Sequence, residues 1–302
     1  MIRGVSMYIV SYRSQGLWRA GIVQGSFVVD AAALVSPSSP STVRALLDAG
    51  PAAVAQVLER ARDAFARKSQ LLMPLEGIEL GPPVPDPDKI ICLGLNYREH
   101  ATEVQMKTSA VPPLFAKFRN ALCGPNSPIV IPRISAKIDY EGELAVVIGR
   151  RCKEVSEDEA LACVAGYAIM NDVSARDLQM QSSQWTAGKT LDTFAPMGPG
   201  IVPASEIPDP QTLQIVTRVN GVTLQNGNTR DMIFSVARTI AFLGSLMTLH
   251  PGDLIATGTP SGVGFTRQPP VFLKAGDIVE VEIERIGMIR NPVIGPGRKE
   301  DE

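Results

Sequence analysis

The chain has 302 residues, 45% hydrophobic and 20% charged, which is a globular composition with room for one large core and a smaller domain. Lys and Arg number 29 against 31 Asp and Glu, so the net charge of -2 leaves no basic surplus for nucleic acid. No apolar run is long enough to span a bilayer, Met1 to Gln15 lacks the apolar centre of a signal peptide, and the four cysteines form no Cys-x-x-Cys pair; reduced thiols in a cytoplasmic protein are expected.

Residues 7 to 35 alternate in three short runs, Met7 to Tyr12, Arg19 to Val23 and Ser26 to Asp30, which predicts a small β-meander. A helix follows from Ser41 to about Gly50. A second is expected over Ala52 to Lys68, with Val54, Val57, Leu58, Ala61 and Phe65 on one face. Gly81-Pro82-Pro83-Val84-Pro85-Asp86-Pro87-Asp88 can neither continue a helix nor enter a central strand, so a domain boundary is placed there.

Lys89 to Leu95 reads as a buried strand. It runs into Asn96-Tyr97-Arg98-Glu99-His100-Ala101-Thr102-Glu103, where a short helix places His100 and Glu103 on one face. A carboxylate there would fix the imidazole tautomer and free the other nitrogen as a base; a surface pair is the alternative. Thr108 to Pro113 is polar and predicts a loop. Pro113 to Phe118 returns to strand character, interrupted by Lys117.

Asp139-Tyr140-Glu141-Gly142-Glu143 then opens a continuous apolar run, Leu144 to Ile148, of the kind buried on both faces of a sheet. Glu141 and Glu143 project to the same side of a strand. Held next to a core they would raise each other's pKa unless a cation intervened, which suggests oxygen ligands for a hard divalent ion. A solvated strand end paired with Lys or Arg fits the same residues. Ser156 and Glu159 form a capping box, and Val164 to Asp172 is a second buried strand that ends, like the first, in a carboxylate. Lys189, between Gly188 and Thr190, reads by itself as a solvated lysine.

Asn220-Gly221 marks a hairpin, and Ser235 to Met247 an apolar helix. The loop of His250 is turn chemistry. Leu254 to Ala256 leads into Thr257-Gly258-Thr259-Pro260-Ser261-Gly262-Val263-Gly264, where prolines rather than a helix follow; a nucleotide site is excluded, and a loop facing a small anion remains. Asp277 to Glu284 alternates strictly, which makes its acids the solvent face of a strand.

Five segments occur in order: Gly94 to His100, Asp139 to Glu143, Asn171 to Asp177, Gly188 to Thr193, and Thr257 to Gly264. Each is weak alone. Together they resemble the fumarylacetoacetate hydrolase family over residues 89 to 295. The resemblance implies an α+β, mostly β fold, a mixed-sheet roll or sandwich with few helices. On this reading a small N-terminal α+β domain covers residues 1–80, the catalytic domain 81–302, and the linker about 81–88. It further implies Mg²⁺ or Mn²⁺ on Glu141, Glu143 and Asp172, Lys189 beside the substrate, and His100 with Glu103 as an acid-base dyad on a lid. Thr257, Gly258 and Thr259 match a substrate-contacting loop; Arg176 and Asp177 fall in a matched stretch without an assigned role.

A homodimer acting on a small-molecule carboxylate follows from the same resemblance, with no nucleic-acid or membrane partner. The implied activity is metal-dependent C–C hydrolysis of an acylpyruvate or 2,4-dioxo acid through a stabilised enolate. Alternatives on the same scaffold are oxaloacetate decarboxylase, ureidoglycolate lyase, and hydroxyheptadienedioate isomerase or decarboxylase activity. An alternative of another class is a non-catalytic metal- or small-acid-binding protein.

Overall fold

The computed structural model describes residues 7–35, 40–107 and 109–297. Residues 1–6 of the expected N-terminal domain, Thr108 at the head of the expected loop, and residues 298–302 of the expected catalytic domain lie outside the described residues.

The meander forms as β1 (Tyr8–Ser14), β2 (Leu17–Gln24) and β3 (Phe27–Asp30), antiparallel in order. Helices α1 (Ala31–Val35), α2 (Val43–Asp48) and α3 (Pro51–Ala66) follow. Thr42 caps α2 by accepting from the Ala45 amide, and Pro51 sits where a helix start tolerates a missing donor. After the short β4 (Met73–Pro74) and the proline-rich 81–88 segment come β5 (Ile90–Leu93), α4 (Arg98–Glu103), β6 (Leu114–Ala116), β7 (Leu122–Cys123), β8 (Ile129–Val130) and β9 (Ile138–Asp139).

The central strands are β10 (Gly142–Ile148) and β11 (Val164–Asn171), with α5 (Glu157–Ala160) between them behind the expected capping box. Then β12 (Ser174–Ala175), α6 (Arg176–Gln179), α7 (Thr186–Lys189) and β13 (Ala195–Pro203) lead to the hairpin β14 (Gln214–Val219) and β15 (Val222–Asn228). Its turn residues Asn220 and Gly221 both have positive φ, 52° and 79°, as a tight two-residue turn requires. Helix α8 (Val236–Leu246), β16 (Leu254–Ala256), β17 (Ile278–Ile283) and β18 (Gly287–Ile294) complete the chain. The fold is α+β and mostly sheet.

An eleven-stranded sheet runs in the order β4-β3-β2-β1-β13-β11-β10-β16-β5-β6, with β7 also pairing β13. The meander is joined to it edge to edge, Ile9 of β1 opposite Ile201 of β13. A five-stranded sheet, β15-β14-β17-β18-β8, packs its inner face on β10 and β11. Every residue of β10 is buried, as its apolar run Leu144–Ile148 predicts, and Glu143 is buried with them, whereas β17 alternates. The outward Glu280 and Glu282 of β17 pair with Arg290 and Arg218.

The two sheets approach closely at Gly142. A Cβ there would lie 2.3 Å from Thr217 Oγ1 on β14 and 2.9 Å from Val281 Cγ1 on β17. Gly142→Ala is therefore expected to cost about 1–3 kcal/mol through overpacking. Thermal denaturation should show a melting temperature lowered by several degrees; an unchanged value would contradict this sheet-to-sheet contact.

Candidate active site

Antiparallel pairing of β10 and β11 sets Gly142 opposite Asn171. That register brings the residues just outside each strand together: the Asp172 amide donates to Glu141 O at 2.8 Å, and the Glu141 amide to Asn171 Oδ1 at 3.0 Å. Glu141, Glu143 and Asp172 each offer a carboxylate oxygen to one small volume, all within 4.8 Å of one another, and all three are buried. The same-side geometry expected of Glu141 and Glu143 is present, and both line one pocket with Lys189 and His100.

Strand β16 lies on the other side of β10, Ala256 opposite Ala145, and delivers the loop of residues 257–266 to the same place. Gly258, at φ +91°, donates its amide to Glu143 Oε2 at 2.8 Å. The Thr257 hydroxyl donates to Leu144 O and that of Thr259 to Gly142 O, at 2.9 and 3.0 Å. Of these three residues Thr259 lines the pocket; Thr257 and Gly258 stand behind the carboxylates. Buried Gln225 completes the frame, accepting from the Gly142 amide and donating to Thr259 Oγ1.

Lys189 is 2% exposed, which overturns the solvated reading of this lysine by itself. Its Nζ donates to Glu141 Oε2 at 2.8 Å and Asp172 Oδ2 at 2.7 Å. Burial alone would lower its pKa; the charges of Asp172 and Glu141 outweigh burial and raise it. Arg176, whose role the sequence left open, is buried with Nη1 2.6 Å from Glu141 Oε1 and Nε donating to Asp139 Oδ2 at 2.8 Å. Its Nη2 is buried without a hydrogen-bond partner, and the side chain lines the pocket. Asp177 supports the segment instead, accepting from Ser135 Oγ and the Leu178 amide.

Lys117 was legible only as an interruption of a strand. It lies just past the end of β6 and is buried, with Nζ donating to the carbonyls of Val173, Lys189 and Phe194 and lying 2.7 Å from Asp172 Oδ1. One ammonium thus ties together the backbone after Asp172 and the backbone of Lys189. A charged residue within an apolar run was the available signal, because such a residue is retained only where it is paired.

Four buried carboxylates, those of Asp139, Glu141, Glu143 and Asp172, meet three buried cations, Lys117, Arg176 and Lys189. The shortfall falls on Glu143, which makes no ion pair among the described residues. Burial first, and then the neighbouring Asp172 and Glu141, push its pKa well above the ordinary carboxylate value. Glu141 goes the other way, because Lys189 and Arg176 outweigh its burial. Three converging hard oxygens with an uncompensated negative charge fit a divalent cation.

His100 is brought over this floor by α4, anchored where Asn96 donates to the carbonyls of Thr257 and Phe234. His100 Nδ1 lies 3.0 Å from Glu103 Oε2. A carboxylate only accepts, so Nδ1 carries the proton and Nε2 of the neutral ring keeps its lone pair. Leu93, Val104, Met106, Phe115, Met180 and Trp185 form the apolar walls.

A family model described as fumarylacetoacetate (FAA) hydrolase C-terminal matches residues 89–294. A fumarylacetoacetate hydrolase domain-containing protein 2 homolog of Dictyostelium discoideum is 50% identical over 232 residues, 73% of this chain and 76% of its own length. A mitochondrial oxaloacetate tautomerase of Xenopus laevis is 45% identical over 260 residues, 85% of this chain and 80% of that one. The crystal structure of maleylpyruvate hydrolase from Sphingobium sp. SYK-6, in complex with manganese(II) ion and pyruvate, matches with a TM-score of 0.78 at 31% identity, covering 96% of this chain and 100% of that one. That manganese complex and the acidic trio found here both point to a divalent metal. The fold, the ordered motifs and these matches agree: the chain belongs to the fumarylacetoacetate hydrolase family.

Proposed function

We propose that the protein is an enolate-forming enzyme that interconverts the keto and enol forms of an oxaloacetate-type 2-oxo dicarboxylate. One observation carries this reading: a single pocket is lined by Glu141, Glu143, Lys189, Arg176 and His100, with Asp172 within 4.8 Å of the two glutamates, Arg176 Nη2 unpartnered and Glu103 held against His100. A divalent ion, Mg²⁺ or Mn²⁺, held by Glu141, Glu143 and Asp172, supplies Lewis-acid polarisation of the 2-oxo group when bound.

The chain's own residues do the rest. Arg176 offers its free Nη2 to a substrate carboxylate. His100 Nε2 removes the proton from C3, and Glu103 stabilises the imidazolium that results. Lys189 donates a hydrogen bond to the C2 oxygen as negative charge develops there. In the ketonising direction the imidazolium returns a proton to C3 and the enol proton leaves to solvent. The walls of Phe115 and Trp185 limit water around the charge, with Phe115 also stacked under the Lys189 ammonium at 5.0 Å.

C–C hydrolysis, the activity expected from the sequence, uses the same enolate and stands as the second reading. It is supported by the likeness to a maleylpyruvate hydrolase. It needs in addition a water held for His100 to activate, whereas the Xenopus relative of higher identity is named a tautomerase. A cytoplasmic homodimer is part of the same proposal.

His100→Ala is expected to lower kcat for enol-oxaloacetate ketonisation, followed by ultraviolet absorbance, by about 10²–10⁴-fold; a wild-type rate would remove the dyad from the reaction. Acylpyruvate cleavage faster than ketonisation would promote the second reading.

Metal removal gives a test independent of turnover. Chelation should lower the melting temperature and Mg²⁺ or Mn²⁺ should restore it, the ion adding about 2.7 kcal/mol of stability at a hundred-fold excess over Kd. Glu143→Gln should abolish that response; a persisting response would place the ion elsewhere.

A further inference from the structure

Helix α4 carries His100 yet has only six residues and no side-chain cap. A helix this short does not hold itself together. What grips it decides where the imidazole sits. Besides the Asn96 anchor at its start, three hydrogen bonds from one loop hold its side chains. Ser261 Oγ donates to Glu99 Oε2 at 3.1 Å, the Gly262 amide to Glu103 Oε1 at 3.0 Å, and Thr266 Oγ1 to the same Oε1 at 2.8 Å.

The Glu103 carboxylate is thereby divided between two tasks. Oε1 belongs to the loop, and Oε2 faces His100 Nδ1. Burial would raise the pKa of Glu103, but the hydrogen bonds from His100, Thr266 and Gly262 outweigh it and keep the group ionised. Gly262 is confined to its place: φ is +103°, and a Cβ would meet Leu224 O at 2.1 Å. Arg267 braces the loop from behind through Gly262 O.

Thr266 differs from Gly262 in having an alternative. Its hydroxyl has one proton and two acceptors in reach, Glu103 Oε1 at 2.8 Å and Val263 O at 3.0 Å. It can release Glu103 and remain hydrogen-bonded, so the grip on α4 can open without stranding a donor.

We propose that Thr266 is a positioning residue: its hydroxyl, with the Gly262 amide, fixes the Glu103 carboxylate so that it aligns His100 and holds α4 over the pocket. The proposal rests on the His100–Glu103 reading given above. It assigns the far end of the Thr257–Gly264 motif and the residues just beyond it to the base rather than to the substrate.

Thr266→Val, nearly isosteric, tests it. The expected result is a kcat about ten-fold lower, the loss that follows removal of one hydrogen bond to a charged group, with KM and melting temperature unchanged. Thr266→Ser should restore the rate. In a Glu103→Gln background Thr266→Val should have no further effect, because the two act as one unit. The Ala101 and Val104 amides should exchange with deuterium faster in Thr266→Val than in the wild type. A wild-type kcat for Thr266→Val, or a loss that simply multiplies with that of Glu103→Gln, overturns the proposal. Should His100→Ala itself turn over normally, the dyad reading fails and this one with it; an inactive His100→Ala beside an unimpaired Thr266→Val defeats this one alone.

Discussion

The structure turns on a charge imbalance. Four carboxylates and three cations are withdrawn from water at the mouths of β10 and β11. Removing each charge from water costs several kcal/mol, repaid only where geometry and hydrogen bonding are complete. Asp139 shows what completion looks like. Its oxygens accept from the Tyr140, Gly264 and Phe265 amides and from Arg176 Nε. Glu143 shows the opposite, with the Gly258 amide on one oxygen and no ion pair among the described residues. A fold that satisfies three acids and leaves the fourth open has built a receptor for positive charge.

Much of the surrounding architecture serves that arrangement. Gly142 lets the second sheet close on the strand carrying the acids, and Gln225 on β15 reaches across to hold the Gly142 amide. Lys117 clips the backbone after Asp172 to that of Lys189, so the carboxylate and the ammonium it meets are set by one side chain. The Thr257–Thr259 hydroxyls hold the backbone of β10 from its other edge. Residues that look like a substrate loop in the sequence are also scaffold for the acids.

The His100–Glu103 pair sits on the opposite wall, where α4 is short and is tied to the 261–266 loop. Floor and roof are therefore held by one continuous segment, residues 257–266. Its first half fixes Glu143 and β10, and its second half fixes Glu103 and α4. This division gives the motif a physical reason for its length that neither half supplies.

The sequence by itself determined the elements whose signals are local. Period-two alternation marked the meander and β17, Asn220-Gly221 marked its hairpin, Ser156 with Glu159 marked α5, and the unbroken apolar runs marked β10 and β11 as buried on both faces. It also put Glu141 and Glu143 on one side, because side chains alternate along any strand. The triad, the lysine and the dyad came from ordered resemblance to a family, since no local rule links residues 100, 141, 172 and 189. Only the tertiary structure decided which charges share the same volume. Burial of Lys117, Lys189 and Arg176 depends on strand register and sheet order, in which β16, with β5 beyond it, pairs one edge of β10 while β11 pairs the other. Those neighbours are set by packing between distant segments, and so are the partners of Glu103 and the isolation of Glu143.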